Sequence, residues 1–390
     1  MDSSPLVDYS PAMMSHFAIT RRRGRARDDR RQVHVLIAVG MLAGAVGLTA
    51  CGSGTPETAG GAATSGTSTS RSTSAPPSPS VATSAELAAR LDQLTAYDST
   101  APLGDRHEAD PPTPRPDGVA AYDISWVSPG GGRVSAWLVR PPTSVPGPYA
   151  GLVYVHGSET DRNDLLDEAA AMASAGVLSL VIDAPFARPA PWTQPYLESY
   201  DDPAPEVAMN AQAVIDVRRA YDLLASRPDV DPARMGYVGH SWGASLGVAV
   251  AAVDDRPAAF ALLSPRPSWT GFLRTSHERW VLAHHQIVGD EAWERYLQAL
   301  APFDALSEVG RVDGSRLLVQ YGRADTTVPA AVAQQLVDAA PGGTTTQWFD
   351  DAGHALDAAA VKARCDWLSG KLGAAAVSAE ELAAVGLPDQ

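Results

Sequence analysis

Apolar residues follow two different spacings along the chain, and the two spacings alternate from residue 122 onward. Short apolar runs rich in β-branched residues are typical of buried strands, and longer segments with apolar residues every three or four positions are typical of helices. The predicted strands cover 122–127, 134–139, 151–155, 177–182, 235–238, 259–263, 317–321 and 344–349. The predicted helices cover 85–96, 164–175, 207–225, a segment after Ser241, 329–339 and 358–372.

This alternation predicts an α/β domain with a mostly parallel sheet covered by helices on both faces, because crossover helices place themselves on the faces of parallel strands. The first two strands flank the Pro-Gly-Gly-Gly sequence at 129–132. Such a sequence is typical of a tight turn, so these strands are predicted to form an antiparallel hairpin at the start of the sheet.

Residues 266–314 interrupt the alternation between two predicted core strands. An extra helical pair on the body of the domain and a lid over an apolar substrate pocket both fit this insertion, which begins at the sheet edge where open α/β folds bind ligands. Among its aromatic and imidazole side chains are Trp269, Phe272, Trp280, His284, His285, Trp293 and Tyr296. Adjacent histidines on a helix point about 100° apart and no third ligand recurs at metal spacing, so we expect neither a metal ion nor another cofactor.

The first 50 residues have the composition of an export segment. A basic cluster that ends at Arg31 precedes an apolar run at 33–50, and small residues follow. This pattern is typical of a secretory signal, although the run is also long enough for a transmembrane anchor. Leu48-Thr49-Ala50-Cys51 resembles the lipobox of bacterial lipoproteins. That resemblance implies acylation of Cys51 and attachment to the outer face of the cytoplasmic membrane.

Residues 52–84 are nearly all Gly, Ser, Thr, Ala and Pro. Such a segment cannot bury enough apolar area to fold, so it is predicted to be a flexible tether. The expected organisation is a signal peptide at 1–50, a lipidated cysteine and tether at 51–84, and one domain at 85–390.

The charge balance excludes a nucleic-acid partner. The 390 residues contain 30 Lys and Arg against 45 Asp and Glu, for a net charge of −15. The first 50 residues are basic, so the remaining chain is more acidic still, and no basic stripe interrupts it. With two cysteines in the chain, a disulfide scaffold is excluded, and Cys365 in a predicted helix is expected to be a buried, inert thiol.

Gly239-His240-Ser241-Trp242-Gly243 matches the pattern G-x-S-x-G between a predicted strand and a predicted helix. The glycines allow the strand and helix to cross closely, and the helix N-terminus favours negative charge that develops nearby. A serine hydroxyl is a weak nucleophile, so it needs a base, and the base needs an orienting acid.

Two further residues supply these roles. Asp325 lies in the turn after the strand at 317–321, and His354 follows the last predicted strand. Other acids also lie near strand ends, and a turn or capping role is expected for each of them. They are Asp183, Asp350 and Asp351.

Ser241, Asp325 and His354 come in this order along the chain, and each follows a predicted strand. With this arrangement, residues 122–372 resemble an α/β-hydrolase, most closely serine esterases related to dienelactone hydrolases and prolyl-oligopeptidase-type acyl hydrolases. The similar segments are 154–158 with its His156-Gly157, the G-x-S-x-G turn, 229–235, 322–329 and Gly353-His354. Dienelactone hydrolases proper have a cysteine nucleophile, whereas Ser241 stands here, so their substrates are not carried over. Secreted polyester and lipid esterases are an equally good comparison.

The resemblance implies an exported serine hydrolase of carboxylic esters with Ser241 as nucleophile, His354 as base and Asp325 as orienting acid. It implies an oxyanion hole formed by the amides of Trp242 and Ser158. Gly157 is the alternative second donor, and His156 is expected to be a structural hydrogen-bonding residue. The expected partners are a small or polymeric ester and, through Cys51, a membrane. A prolyl-oligopeptidase-type peptidase and a binding lipoprotein without activity are the alternatives.

Overall fold

The structure, a computed structural model, describes residues 82–386 except 105, 110–111, 114, 116–118 and 197–199. The predictions for the signal segment, for Cys51 and for nearly all of the tether lie outside the described residues. Within the described part, no helix combines the length and apolar character needed to cross a membrane.

Nine strands form one sheet within the described residues. They are β1 Arg106–Glu108, β2 Ala120–Val127, β3 Arg133–Arg140, β4 Tyr149–Val155, β5 Val177–Ile182, β6 Val230–His240, β7 Ala259–Leu263, β8 Leu317–Gly322 and β9 Thr345–Phe349. Their order across the sheet is β1-β2-β3-β5-β4-β6-β7-β8-β9. Strands β5, β4, β6, β7, β8 and β9 are parallel neighbours, while β1, β2 and β3 run antiparallel. The predicted mostly parallel sheet with an antiparallel hairpin is confirmed.

Helices cover both faces of the sheet. They are α1 Ser84–Leu94, α2 Leu166–Ser174, α3 Ala204–Ala225, α4 Trp242–Val253, α5 Trp269–Thr275, α6 Arg279–Val288, α7 Asp290–Leu300, α8 Ala305–Glu308, α9 Ala330–Ala339, α10 Ala358–Leu372 and α11 Ala379–Ala384. One apolar core packs α3, α4 and α9 on one face, and a second core packs α2, α10 and α11 on the other. Every residue of β5 and β7 is buried, as expected for strands between two helical layers.

The second core contains an ion pair between helices. Arg364 of α10 donates from Nε to Glu168 Oε2 of α2 at 2.7 Å, and its Nη2 contacts the same oxygen. Both residues are 3% exposed. Cys365 is fully buried beside them, and burial raises the pKa of its thiol, in keeping with an inert side chain.

The chain between β7 and β8 forms helices α5 to α8 with single helical turns between them. This helical insertion starts at the carboxyl end of β7, beside the carboxyl ends of β6 and β8. It therefore borders the sheet edge at which the predicted site residues lie.

Candidate active site

The chain turns sharply between β6 and α4, and Ser241 lies at the turn. Its φ of 53° and ψ of −111° are a backbone conformation that residues with a side chain rarely adopt. The Ser241 amide donates to the carbonyl oxygen of Leu263 at 2.8 Å, and the Ser241 carbonyl accepts from the Ser245 amide at 3.0 Å. These bonds to β7 and within α4 hold the strained turn, so that the Ser241 side chain leaves the sheet at the N-terminus of α4.

The turn requires two glycines. A Cβ on Gly239 would lie 2.6 Å from the carbonyl carbon of Gly243 in α4, and one on Gly243 would lie 2.7 Å from the carbonyl oxygen of His156. The Tyr237 hydroxyl also donates to the Gly243 carbonyl at 2.6 Å. Strand β6 and helix α4 therefore cross at a distance that leaves no room for a side chain at either position.

His354 lies between Ser241 and Asp325. Its Nε2 is 2.8 Å from Ser241 Oγ, and its Nδ1 is 2.8 Å from Asp325 Oδ2. Because an ionised carboxylate only accepts hydrogen bonds, Nδ1 carries the proton and Nε2 is left to accept the proton of the hydroxyl. This hydrogen-bonded row of Ser241, His354 and Asp325 can thus convert the serine hydroxyl into a nucleophile.

Asp325 is held in its ionised form. Its Oδ1 accepts hydrogen bonds from the amides of Thr327 at 2.7 Å and Val328 at 2.9 Å. Burial alone would disfavour the charge, but the hydrogen bonds from His354 and these amides outweigh it and lower the pKa of Asp325. The carboxylate therefore stays charged at neutral and mildly acidic pH.

The other acids considered from the sequence lie elsewhere. Asp183 accepts hydrogen bonds from the Ser135 hydroxyl at 2.5 Å and the Arg162 amide at 2.9 Å, and burial raises its pKa. Asp350 pairs with Arg323 at 2.8 Å, and Asp351 is exposed. None of these three carboxylates is hydrogen-bonded to His354.

Two side chains hold the backbone of His354. The Ser264 hydroxyl donates to its carbonyl oxygen at 2.9 Å, and His240 Nε2 lies 3.2 Å from the same oxygen. His240 Nδ1 is 3.3 Å from a carboxylate oxygen of Asp164. The loop that carries His354 is therefore fixed to the ends of β6 and β7.

The amides of Trp242 and Ser158 both lie next to the Ser241 turn. Trp242 is the first residue of α4, so its N–H has no acceptor within the helix. A Cβ on Gly157 would lie 3.4 Å from the Ser241 Cβ, which places the Gly157–Ser158 peptide against the turn. Two such N–H groups can stabilise an oxyanion that forms on a carbonyl attacked by Ser241.

His156 orients that second peptide. Its Nδ1 lies 2.6 Å from the Gly157 carbonyl oxygen and donates to it, while its Nε2 accepts from the Ala184 amide at 3.0 Å. Burial lowers the pKa of His156, which favours this neutral tautomer. Because N–H and C=O of one peptide point in opposite directions, the Ser158 N–H faces away from His156.

Aromatic side chains form one wall beside Ser241. The Phe186 ring lies 4.9 Å from that of Trp242 and 4.7 Å from that of Tyr196. The Tyr196 side chain also interacts with that of Ser158. Part of the loop after β5 is thus adjacent to the nucleophile.

The helical insertion supplies more aromatic residues. Trp269 stacks on Phe272 at 5.4 Å, and Trp280 lies 6.3 Å from both rings. Tyr200, from the loop after β5, lies 4.8 Å from Tyr296 of α7. The insertion and the loop after β5 are therefore packed against each other.

The two adjacent histidines have separate contacts. His284 Nδ1 lies 2.7 Å from the Trp280 carbonyl oxygen, and His285 Nε2 lies 2.9 Å from Asp290. Among the residues that the structure describes, no group of three or more His, Cys, Asp or Glu side chains is arranged to hold a metal ion.

A model of the prolyl oligopeptidase family matches residues 206–373, which include Ser241, Asp325 and His354. Among solved structures, the acetyl xylan esterase from Paenibacillus sp. R4 is similar with a TM-score of 0.63 at 21% identity, over 75% of this chain and 97% of the esterase. Acetyl xylan esterase 1 from Thermoanaerobacterium sp. JW/SL YS485 is similar with a TM-score of 0.55 at 19% identity, over 70% and 88% of the chains.

The chain has the α/β-hydrolase fold.

A puromycin-hydrolyzing peptidase of Mycobacterium tuberculosis shares the hydrolase fold, with a TM-score of 0.52 at 19% identity over 68% of this chain and 41% of the peptidase. Two uncharacterized proteins of Mycobacterium tuberculosis are each 33% identical over 126 residues, which are 32% of this chain and 39% of the relative. The matched segment thus spans well under half the length of these relatives. The fold and the family match support a serine hydrolase and do not separate esters from peptides.

Sequence reasoning missed three residues that lie near the candidate site, namely His240, Ser264 and Arg266. His240 occupies a variable position of G-x-S-x-G, so the motif gives no reason to select it. Ser264 and Arg266 follow β7, which the sequence predicts as a core strand only. The available signal is positional, because polar residues directly after the central parallel strands lie at the edge where the site forms.

Proposed function

We propose that this hydrolase cleaves carboxylic esters through an acyl-enzyme on Ser241. The observation that carries the proposal is the hydrogen-bonded row in which His354 lies 2.8 Å from both Ser241 and Asp325. The similarity to two acetyl xylan esterases supports esters over amides.

In the first step, Ser241 Oγ attacks the ester carbonyl while His354 Nε2 accepts its proton. The amides of Trp242 and Ser158 stabilise the oxyanion, and each donor of this kind contributes about 3 kcal/mol in the transition state. His354 returns the proton to the departing alcohol, and Asp325 stabilises the imidazolium in between. Water then attacks the acyl-enzyme by the same route and releases the acid.

The activity test uses Ser241→Ala. The purified protein is expected to hydrolyse 4-nitrophenyl acetate, and Ser241→Ala is expected to lose this activity while its circular dichroism spectrum stays unchanged. Ser99→Ala, at an exposed serine far along the chain from the motif, serves as the control. A Ser241→Ala protein that still hydrolyses the ester would remove Ser241 from the mechanism.

A peptidase is the second candidate, because the matched family contains prolyl oligopeptidases by name. Paired substrates with the same acyl group, one a 4-nitrophenyl ester and one a 4-nitroanilide, separate the two functions. A larger rate enhancement over uncatalysed hydrolysis for the anilide than for the ester would favour the peptidase. Failure of a fluorophosphonate probe to label the protein would instead favour a binding lipoprotein without activity.

We also propose that a lipid attached to Cys51 anchors the hydrolase to the membrane and that the enzyme acts outside the cytoplasm. The basic cluster, the apolar run and the small residues before Cys51 support this location. Metabolic labelling with an alkyne fatty acid tests it, because the wild-type protein should incorporate the label and Cys51→Ala should not. A wild-type protein that carries no label would contradict the lipid anchor.

A further inference from the structure

Arg266 lies at the carboxyl edge of the sheet, three residues after the end of β7. Its amide donates to Ser245 Oγ at 2.9 Å, and the same hydroxyl donates to its carbonyl oxygen at 3.0 Å. Since Ser245 lies one helical turn after Ser241 on α4, the backbone of Arg266 is fixed beside the nucleophile.

The guanidinium reaches across to the loop that carries the orienting acid. Arg266 Nη2 donates to the carbonyl oxygen of Thr327 at 2.6 Å, two residues after Asp325. Its Cζ lies 4.4 Å from the centre of the Phe272 ring, in α5. The side chain is thus held in one orientation by a hydrogen bond on one side and a cation–π contact on the other.

The guanidinium of Arg266 lies beside the loop that carries Asp325. Its charge also interacts with Asp325 and with Tyr196, a residue of the aromatic wall beside Ser241. Asp325 is already occupied by His354 and two amides. Burial lowers the pKa of Arg266, while Asp325 and Tyr196 oppose that effect, so the guanidinium is a partly desolvated cation.

This cation has no carboxylate partner. No Asp or Glu oxygen in the described part of the chain lies within 4.0 Å of the Arg266 guanidinium. The bond to Thr327 uses one N–H, and the remaining side-chain nitrogens have no hydrogen bond to the described residues and keep some contact with solvent. An arginine fork with free donors can bind a carboxylate through two parallel hydrogen bonds.

We propose that Arg266 binds a carboxylate group of the substrate, so that the hydrolase prefers esters that carry a negative charge near the scissile bond. This inference rests on the proposed esterase function and names its substrate class. The net charge of −15 makes the overall field repulsive to anions, so an anionic ester gains from a cation positioned inside the cleft. The carboxylate could belong to the acyl part or to the alcohol part.

Two substrate pairs distinguish these positions. In the acyl pair, 4-nitrophenyl hemiglutarate is compared with neutral 4-nitrophenyl pentanoate. In the alcohol pair, 4-acetoxybenzoate is compared with methyl 4-acetoxybenzoate. The ratio of kcat/KM for the charged ester to that for the neutral ester is the readout, and we expect it to be well above the ratio for uncatalysed hydrolysis in at least one pair.

Arg266→Gln removes the charge and keeps a polar side chain. We expect it to lower the charged-to-neutral ratio about 10-fold or more, as for loss of a charge-assisted hydrogen bond. Arg266→Lys should keep part of the preference. The matched control is Arg279→Gln, which removes the same charge from an exposed position of the insertion and should change the ratio less than about twofold.

A second measurement does not depend on the folding of a variant. Glutarate should inhibit hydrolysis of the neutral ester by the wild-type protein at concentrations where glutaramide does not. The inference is overturned if both wild-type ratios match uncatalysed hydrolysis, if Arg266→Gln and Arg279→Gln change them equally, or if glutarate and glutaramide inhibit alike. Failure of the wild-type protein to hydrolyse any ester would instead contradict the proposed function itself.

Discussion

The hydroxyl of Ser264 donates a hydrogen bond of 2.9 Å to the carbonyl oxygen of His354. Ser264 itself has a φ of 50°, and its amide donates to the Gln320 carbonyl at 2.9 Å. The loop that carries the proposed base is therefore fixed by a strained residue at the end of β7, which is hydrogen-bonded to β8.

We expect Ser264→Ala to lower kcat about 10-fold with little change in KM, because loss of one hydrogen bond lets the imidazole leave its position between Ser241 and Asp325. Steady-state kinetics on 4-nitrophenyl acetate measure both constants. Ser264→Gly relaxes the positive φ but also lacks the hydroxyl, so it should be equally slow. Full activity in Ser264→Gly with a slow Ser264→Ala would show that strain, and not the hydrogen bond, matters.

Asp325→Asn is expected to reduce kcat by roughly 10³ to 10⁴ while the fold is retained, since an amide at this position favours the wrong tautomer of His354. The lowered pKa of Asp325 means that this carboxylate stays ionised as the pH falls through its usual range. Its protonation therefore does not limit wild-type activity between pH 5 and pH 8. Asp350→Asn, at an exposed acid four residues before His354, is the control and should stay within twofold of wild type in kcat.

Glu206 should make stability depend on pH. Burial raises its pKa to about 7, although the hydrogen bond from the Tyr296 hydroxyl at 2.6 Å opposes the shift. In the unfolded chain the group ionises at its ordinary, lower pKa, so folding favours the protonated form. The stabilisation is thus present at low pH and is lost as the pH rises to about 7.

Urea unfolding at pH 5 and pH 8 measures this effect. Between these two values the Glu206 contribution to wild-type stability should fall by about 2 kcal/mol, and Glu206→Gln should abolish that part of the pH dependence. Glu291→Gln, at an exposed acid of α7, should keep the wild-type dependence. An unchanged dependence in Glu206→Gln would assign the effect to other groups.

The buried pair of Arg364 and Glu168 gives a prediction for the opposite face of the sheet. Arg364→Met leaves a buried carboxylate without its partner and should destabilise the protein by about 3 to 5 kcal/mol. The double variant Glu168→Leu with Arg364→Met should recover most of this loss, because no buried charge remains. Urea unfolding followed by circular dichroism measures both, and a double variant less stable than Arg364→Met would contradict the argument.

Most of the sheet could be predicted from the sequence because buried parallel strands are strongly apolar. The runs at 177–182 and 259–263 coincide with β5 and β7, and the helix at 358–372 coincides with α10. Strand β1 was missed because its Arg-His-Glu sequence is exposed and has no apolar alternation. It is held by backbone pairing with β2, which side-chain patterns do not report.

Side-chain patterns were also an incomplete guide to the elements near the site. Strand β6 begins at Val230, five residues before its predicted start, because its first half is polar and exposed. The motif and the chain order led to Ser241, Asp325 and His354, which the structure joins by two hydrogen bonds. The contacts of Ser264, His240 and Arg266 depend on how β7 and the insertion meet in space, which no local pattern encodes.

The aromatic contact between Tyr200 and Tyr296 has a consequence for how new specificities would arise. It joins the loop after β5 to the helical insertion, and the hydrogen bond from Tyr296 to Glu206 joins the insertion to α3. Neither the loop after β5 nor the helical insertion contains Ser241, Asp325 or His354. Exchange of both segments together between homologues would therefore change the substrate range and keep the catalytic residues, whereas exchange of one alone would remove one partner of the Tyr200–Tyr296 contact.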